Sequence, residues 1–421
     1  MKITTVERIS VDAGHVTRAG RYMRAGGTGN WSIVEVCKVT TDSGLTGWGE
    51  TIPHYTWGRV TDAAAARVIG RTPAELMWDD GLGCGLQQAL MDLAGKALGV
   101  PAYRLIGAKV RDWCPLAWWA WDMTPEDWVA ETRDALAAGY ASFKFKARPW
   151  RDLRAATAAI SRATPGHVTF DLDFNSWLLT AGQAAQVLLE LEAIPQVHIF
   201  ETPIFQWDVA GNRSLRAKIH RPIAMHFDQP PFLTAVAEGV CDGFVISGGA
   251  ATVKRQAELA AEANMPFWLQ LVGTGITTAF AAHLGAALRW AQWPAITCLN
   301  TYADDLLVQP LQIERGCVRV PEAPGLGIEV DADALARLRR TDVSPKELPR
   351  IIHTVRWADG RTAQYMERGK ASVGYERDFL DGNQPLFEPG VSFTSHEDDG
   401  SAAFDRLYTE VQRARCLVTN P

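Results

Sequence analysis

Lys144 and Lys146 stand two apart in the run SFKFKA, separated by Phe145 and preceded by Phe143. If the run is a strand, its side-chain period of two turns both ammonium groups to one face and both rings to the other. Two inward ammonium groups need carboxylates. Asp173 closes the next apolar run, TFDLD, and Glu201 closes the one after it, HIFE. A further run, PIAMHFD, offers His226 and Asp228, again two apart and so on one face. Acids delivered one per strand to the same end of a sheet can converge on a hard cation such as Mg²⁺, which takes oxygen ligands. Capping of the following helix is the ordinary role for any one of these acids. Their succession beside paired lysines favours a shared site.

The surrounding pattern indicates how such residues are held. From about residue 114 the runs CPLAWWAW, SFKFKA, HVTFDLDF, QVHIFE, RPIAMHF, GFVIS, PFWLQLV and AITCLN alternate with amphipathic segments such as PEDWVAETRDALAAG and TVKRQAELAAEAN. Alternation at this spacing predicts parallel βα units closing into an eight-stranded barrel, whose functional residues sit at the C-terminal strand ends. Lys144 and Lys146 then face the lumen with Ser142, and the two phenylalanines face the helix layer. Two solvated lysines on an edge strand would not be flanked by aromatics in this way. Ahead of the barrel, KITTVERISVDA and WSIVEVCKVTTDSGLTGWGETI predict an antiparallel meander, followed by helices between residues 60 and 100. After about 330 the regularity stops, leaving a helix at ALARLRR, a hairpin about the DG of RIIHTVRWADGRTAQYM, a long surface loop over 378–400 and a final helix at SAAFDRLYTEVQRA.

Composition narrows the class. A chain of 421 residues with 47% hydrophobic and 21% charged residues is globular and long enough for two packed domains. A formal charge of −6 with interspersed signs gives no basic stripe, so neither nucleic acid nor a membrane surface is an expected partner. The opening MKITTVERISVDAG lacks an export signal, which predicts a cytoplasmic protein. Seven scattered cysteines without CxxC spacing read as reduced packing thiols, and 16 tryptophans suggest a core with several rings lining the ligand cavity.

GLTGWGE at 44–50, MDLAGKALGVPAYRLIG at 91–107, KFK at 144–146, DFN at 173–175, ETP at 201–203, SGG at 247–249 and GTG at 273–275 follow one another in a familiar order. In these motifs the sequence resembles the mandelate racemase and muconate lactonizing branch of the enolase superfamily. The resemblance implies an α/β fold, a modified TIM-type barrel of (β/α)₇β form with an α+β N-terminal capping domain. It places the capping domain at 1–112, completed by C-terminal residues, the barrel at 113–330, and at 331–421 an extension packing on the capping domain. It also implies Mg²⁺, which binds the substrate carboxylate and stabilises the enediolate left when the α-proton departs.

Carried over by position, Lys146 is the base, and Lys144 is its companion, lowering its pKa and binding the substrate carboxylate. Asp173 and Glu201 are metal ligands. Asp228 is the expected third ligand because Mg²⁺ prefers oxygen, with His226, which matches the register of one family branch, as the alternative. Asn175, Arg21, Tyr22, His54, Tyr55 and Gln270 are the expected substrate contacts, and family members are commonly homo-oligomers.

The opposite side of the barrel departs from the family. Ahead of the glycine pair the sixth strand offers only Phe244, Val245, Ile246 and Ser247, and on the seventh Gln270 or Leu271 replaces a histidine. With no second base, racemisation is disfavoured. The leading expectation is a one-base lyase dehydrating a hydroxylated, sugar-type acid. A cycloisomerase or epimerase on a more apolar acid is the alternative that the tryptophans encourage. A degenerate, non-catalytic binding protein on the same scaffold is weakened by the retention of KFK, Asp173 and Glu201. A phosphate-binding barrel enzyme lacks the glycine-rich loop it would need.

Overall fold

The computed structural model describes residues 1–55, 59–366, 368 and 374–420. Strands Ile3–Asp12, Ile33–Thr41 and Thr46–Thr51 form the antiparallel meander in sequence order. Helix Cys84–Leu98 lies across it, buried along most of its length. Contact is close because the strand carries glycines: a Cβ at Gly49 would lie 2.0 Å from the carbonyl oxygen of Gly85. The DLAGK motif is likewise structural. Asp92 accepts hydrogen bonds from Trp48 N at 2.9 Å, Lys96 Nζ at 2.6 Å and Leu326 N at 2.8 Å, tying strand, helix and the end of the barrel region together.

The barrel is a parallel sheet of seven strands in sequence order: Trp118–Ala120, Ser142–Lys146, Thr169–Asp173, Val197–Glu201, Ile223–His226, Gly243–Ile246 and Phe267–Leu269. An eighth segment closes it. Ile296 bridges in parallel to Gln270 on one side, and Ala295 bridges to Leu116 on the other. Helices follow the first seven strands, from Pro125–Ala137 to Gly275–Ala287, giving the (β/α)₇β pattern. The register pairs Lys144 with Asp171 and Trp119, and Lys146 with Asp173, which in turn pairs with Glu201. Phe143, Phe145 and Phe170 pack together in the helix layer. No described helix is long and apolar enough to cross a membrane.

Capping and barrel segments dock through two acids, Glu50, which is buried, and Asp80, which is half-buried. Glu50, at the end of GLTGWGE, accepts from Thr274 N at 2.7 Å, Thr274 Oγ1 at 2.6 Å and Thr277 N at 2.8 Å, so it caps the helix that begins at Gly275. Asp80 does the same for helix Ala250–Glu262, accepting from Ala251 N at 3.0 Å and Thr252 N at 2.8 Å. Gly249 is needed there, since a Cβ would fall 2.2 Å from Asp80 Oδ1.

The C-terminal region differs from the sequence expectation in two ways. Within 378–400 the chain is not all loop: Ser392–Glu397 is a strand pairing antiparallel with Ile351–Arg356, the first strand of the expected hairpin. The extension also does not rest on the capping segments alone. Residues 338–346 lie along them, with Arg340 N donating to Ser10 O at 2.8 Å and Lys346 Nζ 3.0 Å from Asp12. The part that follows touches both: Glu397 of strand Ser392–Glu397 accepts from Arg24 Nε at 2.7 Å, while Trp150 on the barrel meets Phe393 of that strand and Tyr375 and Phe379 of helix Tyr375–Leu380 at 5.6, 4.8 and 5.6 Å between ring centroids.

The docking role of Glu50 has a direct consequence. Glu50→Ala leaves two buried backbone donors without their acceptor, which costs about 1–3 kcal/mol for each buried group left unpaired. A clear fall in the thermal midpoint is expected, with Glu50→Gln retaining part of the loss because its carbonyl still accepts. An unchanged midpoint for Glu50→Ala would contradict this docking.

Candidate active site at the barrel strand ends

Lys144 is 1% exposed and pairs with Glu201 and, at 3.4 Å, with Asp173; the two carboxylates are 1% and 0% exposed. Lys146 is 15% exposed and donates to Asp173 Oδ2 at 2.5 Å and to Asn175 Oδ1 at 3.1 Å. The lysines thus share one acid and differ in their second partner. Burial opposes charge on Lys144, but Glu201 and Asp173 overrule it and raise its pKa above the ordinary lysine value. Burial also opposes charge on Lys146, and there Lys144 and Arg148 add to it, so its pKa falls below that value despite Asp173. Burial alone would raise Asp173; Lys146, Lys144 and Arg148 instead hold it well below the usual carboxylate range. The cluster therefore keeps one lysine charged and eases the other toward neutrality.

Arg148 escapes the motif-based reading because it lies two residues past the end of strand Ser142–Lys146. It is buried and donates to Ala147 O at 2.9 Å, Asp173 O at 3.2 Å and Asn175 Oδ1 at 2.7 Å. Asn175 sits in the left-handed region at φ 45°, its backbone N–H donating to Asp173 Oδ1 at 3.0 Å. Its side-chain oxygen is taken by Lys146 and Arg148, and its amide N–H₂ makes no hydrogen bond among the described residues.

Of the two candidates for a third metal ligand, the structure brings His226 to the cluster and not Asp228. His226 Nε2 stands 3.2 Å from Glu201 Oε1 and is 28% exposed. Asp228 is exposed and turned toward the next helix, where its Oδ1 accepts from Phe232 N at 3.3 Å. The strand ends at His226 and the backbone reverses to φ 63° at Asp228, so the alternation that put both on one face has already stopped. Among the described residues, no three His, Cys, Asp or Glu side chains stand ready to hold a metal ion without rearrangement. The donors nevertheless suit a divalent cation. Glu201 Oε2 is buried and makes no hydrogen bond beyond its ion-pair contact with Lys144, and Asp173, Glu201 and His226 arrive from three consecutive strands.

The expected substrate contacts divide. Tyr55 and Gln270 meet: Gln270 Nε2 donates to Tyr55 Oη at 3.1 Å, and Gln270 Oε1 accepts from Lys144 at 3.5 Å. Arg21 and Tyr22 are both engaged by Asp127, and His54 Nε2 bonds Val343 O at 2.7 Å. These three polar groups are held by protein partners.

Comparison with known proteins follows this geometry. The profile of "Enolase C-terminal domain-like" proteins matches residues 127–334. D-galactonate dehydratase of Verminephrobacter eiseniae (strain EF01-2) is 32% identical over 217 residues, 44% of this chain and 56% of that protein. D-galactonate dehydratase of Xanthomonas campestris pv. campestris (strain B100) is 28% identical over 374 residues, 78% of this chain and 95% of that protein. Among solved structures, a mandelate racemase/muconate lactonizing family protein from Azoarcus sp. EbN1 superposes with a TM-score of 0.64 at 26% identity, covering 83% of this chain and 99% of that one. Muconate cycloisomerase from Pseudomonas fluorescens superposes with a TM-score of 0.66 at 23% identity, covering 80% and 99%, a likeness of fold.

The ion-pair cluster can be tested without any substrate. In chelator-treated protein, Lys144→Ala strands a buried carboxylate, and breaking such a pair costs about 3–5 kcal/mol. Denaturant unfolding is expected to show that loss, and the double variant Lys144→Met, Glu201→Gln is expected to recover most of it. Additive losses in the double variant would mean that the two groups are not coupled.

Proposed function

The chain belongs to the mandelate racemase/muconate lactonizing enzyme family of the enolase superfamily, and on that premise we propose that it abstracts the α-proton of a carboxylate substrate, with Lys146 as base, and dehydrates a hydroxy acid. The observation that carries this reading is the cluster itself: Lys144 buried against Glu201 and Asp173, and the more exposed Lys146 sharing Asp173 with it and reaching Asn175. The relatives named as D-galactonate dehydratases support a lyase acting on a hydroxylated acid. A cytoplasmic location and a homo-oligomeric assembly belong to the same reading and rest on the family.

Mg²⁺, held by Asp173, Glu201 and His226, would supply the positive charge that offsets the negative charge growing on the substrate carboxylate as the proton leaves. This chain's own residues do the rest. The Lys144 ammonium, kept protonated, attracts a carboxylate oxygen. Lys146, in its unprotonated form, takes the proton from the α-carbon, and the C–H electron pair passes into an enediolate. Asn175, fixed by Arg148, positions Lys146 and presents its amide N–H₂ to the substrate. The enediolate then expels the β-hydroxyl with its bonding pair, and the proton on Lys146 joins the departing oxygen to make water. Where the α-carbon also carries a hydroxyl, the resulting enol tautomerises to a 2-keto acid. Across the lumen, Ser247 and Gln270 are the polar groups nearest in sequence to a second base, and neither has a pKa suited to protonating carbon.

Two results are expected in deuterated water. Lys146→Ala abolishes α-hydrogen exchange while leaving the folded state intact, since the side chain acts in the transition state. In the unaltered protein, recovered substrate carries deuterium with retained configuration, because protons leave and return on one face. NMR with chiral chromatography decides both. Substantial exchange in Lys146→Ala would remove it as the base, and formation of the opposite enantiomer would reveal a second base.

A further inference from the structure

Strand Ser142–Lys146 ends on the proposed base, and residues 147–152 connect it to helix Leu153–Ala163. The connection is buried from Ala147 to Arg151, so its polar groups call for protein partners. At the site, Ala147 N donates to Asp173 O at 2.9 Å and Arg148 holds Asn175. The remaining partners come from the C-terminal extension. Phe387 N donates to Pro149 O at 2.8 Å, Asp152 N to Val391 O at 3.1 Å, Gly390 N to Asp152 Oδ2 at 2.7 Å and Arg151 Nη1 to Phe393 O at 2.6 Å. Arg154, at the start of the helix, adds a bond to Phe387 O at 3.0 Å.

Trp150 anchors this grip in the core. Its ring packs on Tyr375, Phe379 and Phe393 of the extension, while its Nε1 donates to Asp122 Oδ2 at 2.7 Å. Arg151 Nη2 donates to Asp122 O at 2.9 Å, and Arg151 N donates to Arg148 O at 3.2 Å, so the gripped residues lead directly to Arg148. Lysine is a point charge on a flexible stem, and Lys146 is placed only by what it touches. One of its two partners, Asn175 Oδ1, is shared with Arg148. A misplacement of about 1 Å, even from a distant change, can cost about a hundredfold in rate.

We propose that the C-terminal extension is a positioning element of the active site: by gripping residues 147–152 it fixes Arg148, which through Asn175 holds Lys146 in place for proton abstraction. Trp150 and Arg151 are the positioning residues through which the grip acts. The inference rests on the enolisation reading above and gives the extension a part in that reaction beyond completing a core.

The test uses Phe379→Ala, which removes one ring of the extension from Trp150 and leaves the ion-pair cluster unaltered. Two readouts are compared with the unaltered protein, well below the thermal midpoint: α-hydrogen exchange of a panel of aldonates, galactonate among them, in deuterated water with Mg²⁺, and backbone amide exchange followed by mass spectrometry. The kcat is expected to fall about ten- to a hundredfold with KM little changed. Amide exchange is expected to quicken in 147–152 and in 173–176, and Phe379→Leu to restore most of both readouts. A merely structural role lowers the midpoint and leaves the kcat of the folded protein as it was. That result, a loss carried by KM, or protection kept in either segment overturns the inference. Should Phe379→Ala not fold, Arg154→Ala, which removes the bond to Phe387 O and the pair with Glu190, is read in the same way. If no acid of the panel exchanges in the unaltered protein, the proposed reaction falls; the positioning then stands if the loosening reaches 173–176 and falls if it does not.

Discussion

Two ammonium groups inside one barrel are tolerable only because two carboxylates meet them at the same depth. Asp173 and Glu201 pair in register at the ends of neighbouring strands, and Lys146 is in register with Asp173. Desolvating four charges is expensive unless each has its partner. Here the partners are shared unevenly, and that unevenness is useful. Lys144 has two acids and is fixed in its charged form. Lys146 shares Asp173 with Lys144 and has Arg148 nearby, so its proton is held less firmly. A cation placed among the same carboxylates would weaken the hold on both lysines, which links metal binding to the basicity of Lys146.

That cluster depends on the barrel closing and on its lid staying in place. The motifs GLTGWGE, SGG and GTG serve this purpose and take no part in the ion-pair cluster. Glu50 and Asp80 reach from the capping segments to the starts of the helices after the seventh and sixth strands. Gly249 of SGG and Gly273 of GTG lie beside these acids, where a side chain would block the approach. The capping segments so anchored carry Trp31, which meets Tyr55 and, on the first barrel strand, Trp119.

The sequence made the strand-borne part of the site legible because a strand's period of two is rigid. Lys144, Lys146, Asp173 and Glu201 are all strand residues, and the structure brings them together. The same reasoning overreached at Asp228, two residues beyond the strand end, where a left-handed backbone breaks the alternation. The partners of Arg21 and His54 were hidden for another reason. Their partners, Asp127 and Val343, are distant in sequence, and no local pattern announces that those loops meet. The strand Ser392–Glu397 was hidden by the turn-forming residues on either side of it. Arg148 also lies two residues past its strand end, where the period of two no longer guarantees a face, and its place at the site is shown by its bonds to Asp173 O and Asn175 Oδ1.

The central claim is that one lysine of the pair is held charged while its neighbour is prepared to lose a proton. Specific ¹³Cε and ¹⁵Nζ labelling of lysine, with Lys144→Met and Lys146→Met variants for assignment, would follow each ammonium group directly through a pH titration. Lys146 is expected to deprotonate below the ordinary lysine value of 10.5, and Lys144 to remain protonated above it for as long as the fold survives. Titration in the reverse order, or of both groups together at the ordinary value, would contradict the account.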